Sequence, residues 1–497
     1  MSDAADADIF PLPLVPFERY MLADDTRDYP MTYTLAFGFR GEFERSALDG
    51  ALMDALSRHP LLRARIEDRP RKGACWVGIS PSRISLDWGT CESPIECSGG
   101  GVIDLRREAG LRLWVRQGDD RARLTLLVHH ACADGVGMLQ FVRDLLVAYA
   151  VRAGSEVSAR ATVRLAAERL NIRDRFDVKL PEPVSSWRIL GSNVTESAKF
   201  FSRRPAPLAA GPECRSRASA TPADDAKVGP GHGPGDRDST RSSLADPAMT
   251  RSSLPEICSH TFSEAETSAI HAAAARHNAT VNDVLLRDAF VVVADWNAAQ
   301  DPATRRRWLR INMPINLRGV EHRHMPAANA MSYAFLTRRD SDRADPQSLL
   351  DGIHRETEAI RYWSIGLTFL DGLRFSLKVP GLMRLSTRRR RCLASLVLSN
   401  LGDLSRYFPA SFVTKDRRVR AANVVLENLI GAPPIRTFTR GSMLASRYAG
   451  RLTLSLLCDP RCFSAADART LLSKFVNRLQ ETGSCLPVDV ESPPDAG

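Results

Sequence analysis

The 497-residue sequence predicts an α/β protein in two comparable halves. Helix-spaced and strand-alternating apolar segments are mixed in both halves, which favours layered α/β architecture over an all-helical or all-β chain. From Arg203 to Glu256 the chain carries much Pro, Gly, Ser and Ala and almost no large apolar residues. Such a segment cannot bury enough surface to offset its ordering entropy, so it reads as a flexible linker. The predicted division is an N-terminal unit at 1–202, the linker at 203–256 and a C-terminal unit at 257–497. With 44% hydrophobic and 25% charged residues, the composition is that of a globular chain with room for two cores.

The elements follow in order. Over Phe43 to Arg58, Leu48, Leu52 and Leu56 recur at i, i+4 and i+8, giving a helix with one apolar stripe. His59-Pro60 ends it, and the run to Ile66 alternates like a strand. Leu111 to Val115 and Leu124 to Val128 alternate on either side of a polar turn at Gly118 to Arg121, a hairpin signal. Val136 to Tyr149 returns to helical spacing through Met138, Phe141, Leu145 and Ala148. In the second half, Thr280 with Asp283 three residues on precedes the apolar run VLLRDAFVVVADW and marks a helix start. Trp308 to Leu317, Ser332 to Leu336, Leu396 to Ser399 and Leu452 to Leu456 read as strands, and a last helix lies near Ala466 to Leu479.

Charge and cysteine usage narrow the function classes. Lys plus Arg number 68 against 58 Asp plus Glu, a formal +10, with runs at Arg305 to Arg307 and Arg388 to Arg391. Such runs are mostly solvated faces; the alternatives are a site for an anionic ligand such as a nucleotide phosphate, or an acidic membrane surface. No aromatic-interleaved basic motif accompanies them, so no nucleic-acid partner is expected. The acidic, proline-rich start has no signal-peptide pattern, and no apolar run reaches membrane-spanning length. The ten cysteines show no metal-type spacing, the nearest pairs being Cys91/Cys97 and Cys458/Cys462. They read as reduced thiols of a cytoplasmic protein with no zinc and no structural disulfide, a peripheral membrane contact remaining open.

The stretch LTLLVHHACADGVGMLQF, Leu124 to Phe141, carries the chemistry. Successive strand side chains point to opposite faces, so His129 and His130 cannot both face one cavity while the strand continues. Parity alone does not choose between them. An imidazole at a strand mouth suits general-base work because it titrates near neutrality. Asp134 stands where it can brace the turn, and Gly135 and Gly137 leave room for unusual backbone angles or a ligand. The spacing lacks the two-His helical pattern of zinc enzymes, and Cys132 as a nucleophile rests on proximity alone.

HHACADG at His129 to Gly135 resembles the HHxxxDG signature of the chloramphenicol-acetyltransferase-like acyltransferases. That superfamily includes nonribosomal peptide condensation domains, plant BAHD enzymes, alcohol acyltransferases and the bacterial wax ester synthase/diacylglycerol acyltransferase (WS/DGAT) group. RHPLLR at Arg58 to Arg63, ATVNDVLL at Ala279 to Leu286, PINLR at Pro314 to Arg318 and LSNLG at Leu398 to Gly402 are similar to further family elements, in the same order. The DFGWG element of BAHD enzymes is absent, which argues against that branch, and no GxDS carrier site follows residue 480, which argues against a modular peptide synthetase; the helix-start, PINLR and LSNLG elements together resemble the WS/DGAT-type and alcohol O-acyltransferases most.

The resemblance implies two similar lobes, a pseudo-dimer, with a tunnel at their interface. It implies His130 as general base and Asp134 as a structural carboxylate held by an arginine. Arg63 is the first candidate for that arginine, ahead of Arg65 and Arg318. His129 and Gly135 are motif residues. Asn316, Ser399 and Asn400, polar residues at strand ends, are candidates for oxyanion stabilisation or substrate positioning, with turn chemistry as the alternative role. The implied reaction moves an acyl group from acyl-CoA or a carrier-bound phosphopantetheine thioester to an alcohol or amine, with no metal, no bound cofactor and no covalent intermediate. A carrier protein is a candidate partner. The competing readings are a condensation-type enzyme on carrier-bound substrates, and a catalytically idle binding or scaffold protein.

Overall fold

A computed structural model describes residues 9–484 apart from 72, 98, 159–160, 177–199, 201, 215–252, 363–365 and 388–390. Its strands in the first half are β1 (Leu12–Pro13), β2 (Thr32–Arg40), β3 (Ala64–Arg69), β4 (Gly73–Gly78), β5 (Leu86–Thr90), β6 (Leu111–Gly118) and β7 (Arg121–His129). The second half supplies β8 (Cys258–Thr261), β9 (Leu309–Asn316), β10 (Met331–Arg338), β11 (Leu396–Asp403), β12 (Arg420–Ala421), β13 (Val424–Ala432), β14 (Gly441–Tyr448) and β15 (Arg451–Cys458). They form two six-stranded sheets, ordered β12-β13-β2-β7-β6-β5 and β10-β9-β11-β14-β15-β8, and a small sheet β1-β4-β3. Each large sheet carries its own buried apolar cluster.

The local reasons match the sequence signals. The helix at Arg45–Arg58, α2, follows α1 (Pro16–Asp24) and buries Leu48, Leu52 and Leu56 as one stripe. The hairpin joining β6 to β7 turns on Asp119 and Asp120, whose φ values of 55° and 58° are the left-handed pair that a type I′ turn requires. The helix α3 (Gly135–Arg152) starts on Asp134, whose Oδ1 accepts from the Gly137 N–H. After α4 (Glu264–Arg276), α5 (Val281–Gln300) opens with the expected capping box of Thr280 and Asp283. The strands expected near Trp308, Ser332, Leu396 and Leu452 are β9, β10, β11 and β15, and the last helix is Ala465–Ser484.

Two features depart from a simple division into halves. β13 belongs to the second half of the chain yet pairs antiparallel with β2, with Ile430 opposite Ala36, so the first sheet is completed by a later segment. Its apolar residues Val424, Leu426 and Leu429 enter the first core, which is what holds the excursion in place. Part of the stretch read as linker is also packed: the Ala206 N–H donates to the Trp308 carbonyl, the Ala209 N–H to Asn297 Oδ1, and Leu208 is fully buried. Small apolar residues suffice there because Asn297 satisfies the backbone. Residues 215–252 of that stretch lie outside the described residues, as do Arg388 to Arg390 of the second basic run.

Candidate active site

β7 ends on His129, and the chain turns through Ala131 to Ala133 before Asp134 caps α3. Asp134 is only 3% exposed and is held from four directions. Its Oδ1 accepts from the Gly137 N–H (2.8 Å) and Arg318 Nη2 (2.9 Å), and its Oδ2 from Arg318 Nη1 (2.8 Å) and the Ala330 N–H (2.9 Å). Burial alone would raise the carboxyl's pKa, but the Arg318 guanidinium and these hydrogen bonds outweigh it and hold it below the usual carboxylate range. Asp134 is therefore spent on structure: it ties the motif turn of the first half to the PINLR and 325–330 segments of the second.

The partner of Asp134 is thus Arg318, not Arg63, which stood first on sequence grounds. Arg63 is buried, but it donates to the carbonyls of Leu56 and Ile79, closing the turn after α2. Arg65 pairs with Glu67. Sequence proximity to the first helix misled because the ion pair spans the two halves, 184 residues apart. The glycines also have a different reason from the one expected. A Cβ at Gly137 would sit 3.0 Å from the Ala328 carbonyl oxygen and one at Gly135 3.1 Å from Leu401 Cδ2, so both mark close approach of the second half.

The two histidines part as strand geometry requires. The His129 ring is fully buried; Nδ1 accepts the Ala131 N–H (3.1 Å), which leaves the proton on Nε2, 3.7 Å from Asp25 Oδ2. His130 lines a cavity of about 120 Å³ bounded by both halves of the chain. Its backbone is pinned on both sides: its N–H donates to the Met31 carbonyl, and its carbonyl accepts from Asn329 Nδ2 (2.6 Å). Tyr33 packs on the ring at 4.9 Å between centroids, itself tethered by a hydrogen bond from its hydroxyl to the Ala133 carbonyl. Burial pushes the imidazole pKa below 6.5, against the opposing pull of its own carbonyl and of Asp134. A neutral imidazole at a cavity wall is the form a general base needs.

The remaining candidates, Asn316, Ser399 and Asn400, all line the cavity that His130 lines. Asn316 Oδ1 accepts from the Arg318 backbone and Nη1, so it orients the arginine. Asn400 Oδ1 accepts the Gly402 N–H, which is turn chemistry. Cys132 is fully buried against Gly110 and does not line the cavity, and burial pushes its thiol up, so packing is the role its surroundings support. Among the described residues there is no cluster of His, Cys, Asp and Glu able to hold a metal ion, and the described cysteines are free thiols.

Several lining residues had no sequence signature. Tyr20, Tyr33 and Tyr333 line the cavity together with Asn312 and with Arg436, whose Nη2 donates to Asp24 (2.8 Å). Asn329 and His59 act one step back: His59 Nδ1 accepts the Ala327 N–H (2.9 Å), and its Nε2 lies 3.3 Å from Asp144 Oδ2. Only the RHPLLR resemblance pointed at His59.

No family model matches the chain. The probable nonribosomal peptide synthetase CymA of Salinispora arenicola (strain CNS-205) is 30% identical over 144 residues, 26% of this chain and 2% of that protein. N-(5-amino-5-carboxypentanoyl)-L-cysteinyl-D-valine synthase of Amycolatopsis lactamdurans is 28% identical over 137 residues, 26% of this chain and 4% of that one. The first condensation domain of the calcium-dependent antibiotic synthetase superposes with a TM-score of 0.63 at 14% identity, covering 95% of this chain and 96% of the domain. Trichothecene 15-O-acetyltransferase TRI3 of Fusarium sporotrichioides gives 0.60 at 12% identity, covering 95% and 94%. Polyketide synthase associated protein 5 of Mycobacterium tuberculosis gives 0.57 at 17%, covering 94% and 96%. The chain therefore has the fold shared by condensation domains and acetyltransferases, the chloramphenicol-acetyltransferase-like fold.

Proposed function

We propose that the protein is an acyltransferase that moves an acyl group from a thioester to an alcohol or amine, with His130 as general base. The observation that carries the reading is the His130 ring at the wall of a cavity shared by both halves, with its neighbouring carboxylate already committed to Arg318. His130 takes the proton of the acceptor O–H or N–H as that atom attacks the thioester carbonyl. The tetrahedral intermediate collapses by breaking the C–S bond, and the same imidazole returns the proton to the leaving thiolate. The Ser399 hydroxyl and the side-chain amide N–H groups of Asn316 and Asn400, all at the cavity wall, are the candidates to meet the developing oxyanion. Two similar lobes with substrates entering the cavity from opposite sides suit this chemistry, since donor and acceptor must meet at one imidazole.

The donor is acyl-CoA or a carrier-bound phosphopantetheine thioester. The resemblance of the sequence to O-acyltransferases and the likeness to an acetyltransferase support CoA; the two synthetase relatives and the condensation-domain fold support a carrier. The apolar lining, with Met21, Met31, Leu35 and Leu444, suits a hydrocarbon acyl chain. The test is thiol release from a panel of acyl-CoAs and acylated carrier proteins, with alcohols and amines as acceptors and product masses recorded. Acyl transfer to any acceptor supports the reading. A folded protein that turns over no donor of either kind favours an idle scaffold of the same fold.

A further inference from the structure

Apart from Val151 and Val320, the large apolar side chains exposed to solvent among the described residues lie in one segment. Phe375 (62% exposed), Leu377 (36%), Val379 (40%) and Leu385 (52%) fall within eleven consecutive positions. They sit on a helix pair, Gly366–Lys378 and Leu382–Ser386, joined by a turn in which Gly381 takes the left-handed conformation at φ 78°. Singly exposed apolar residues are ordinary; a cluster of this kind on one helix pair marks a contact surface. Its charge is one-sided. Lys378, Arg384 and Arg391 are exposed, and the acidic residue of the segment, Asp371, is paired with Arg374 at 3.0 Å.

The inner side of the same helix reaches the active site. Phe369 packs on Tyr333 and Tyr20 at 5.3 and 5.4 Å, and Phe17, which touches both tyrosines, also packs on His130 at 6.4 Å. One helix pair thus carries an apolar, cationic outer edge and, through Phe369, an aromatic inner face packed against Tyr20 and Tyr333, which line the cavity of His130.

We propose that this helix pair docks on an anionic phospholipid surface, with Phe375, Val379 and Leu385 entering the interfacial region and Lys378 and Arg384 meeting lipid phosphates. Apolar side chains flanked by Lys and Arg are the composition that such an interface selects. The purpose of the contact rests on the acyl-transfer reading, because an apolar substrate partitioned into lipid is presented beside the cavity. Its test does not.

Full-length protein is floated with phosphatidylcholine vesicles, with and without phosphatidylglycerol, across a salt series. The expected result is binding to the phosphatidylglycerol vesicles that weakens with salt. Lys378→Gln/Arg384→Gln should lower affinity roughly thirty-fold, the effect expected for two surface cations near an anionic bilayer. Phe375→Ser/Leu385→Ser should abolish flotation while leaving the melting temperature and any turnover of soluble short-chain thioesters unchanged. Absence of flotation, equal binding to neutral vesicles, or binding untouched by both double variants overturns the proposal, as does capture of a purified acidic acyl carrier protein through these residues without vesicle binding.

Discussion

Replacing Arg318 by Ala removes both charge-assisted hydrogen bonds to Asp134, at 2.8 and 2.9 Å, and a third bond from Arg318 to the Ala328 carbonyl. The carboxylate stays 3% exposed and keeps only the N–H groups of Gly137 and Ala330. Each bond to a charged group contributes about 1.5–3 kcal/mol, so the gross loss is about 3–6 kcal/mol. Protonation of the stranded carboxyl and the two remaining donors limit the net loss to about 3–5 kcal/mol, the range for breaking a buried pair from one side. Because Asp134 has a depressed pKa in the folded protein, the pair's contribution is present above the ordinary Asp pKa of about 3.9 and is lost as pH falls toward the folded value. Urea denaturation of wild type, Arg318→Ala, Asp134→Asn and the double variant measures this as a double-mutant cycle. A loss below about 1 kcal/mol in Arg318→Ala, the value for an exposed pair, would refute the reasoning.

Three further outcomes follow from the geometry. Since burial lowers the His130 pKa, deprotonation precedes catalysis on the acid side, and the rising limb of kcat/KM against pH should lie below 6.5; a limb above it contradicts the assignment. At His59, Asn keeps an acceptor near the position of Nδ1 for the Ala327 N–H, whereas Gln reaches the Nε2 side and loses that bond. His59→Gln should therefore lower kcat more than His59→Asn, read by steady-state kinetics at matched melting temperatures. Glu18 is fully buried and accepts from Arg173, Trp76 Nε1 and the Val15 N–H. Glu18→Ala strands the Arg173 charge and should cost about 3–5 kcal/mol in thermal or chemical denaturation.

The legibility of the chain was uneven for physical reasons. Local signals survived: the Leu48/Leu52/Leu56 stripe, the Thr280–Asp283 box and the β6–β7 hairpin each depend on neighbours in sequence and appear where the pattern placed them. Long-range pairings did not. Nothing in NVVLENLIGA, residues 423–432, shows that it leaves its own half to pair with β2, because strand pattern encodes burial and not the partner. The exchange of Arg63 for Arg318 has the same origin: both are arginines beside family-like elements, and only the folded chain brings one of them to Asp134. The motif located the histidine turn, while Tyr33, Asn329 and Arg436, which shape its surroundings, sit in unremarkable sequence.

Thiol release by His130→Ala beside wild type, on whichever thioester the wild type turns over, is the most direct measurement. His130 packs against Tyr33 and Phe17 without carrying a buried ion pair, so the variant should keep its fold and lose about 10²–10⁴-fold in kcat, the usual contribution of a positioned general base. Turnover equal to wild type from the folded variant would show that the proton is taken elsewhere.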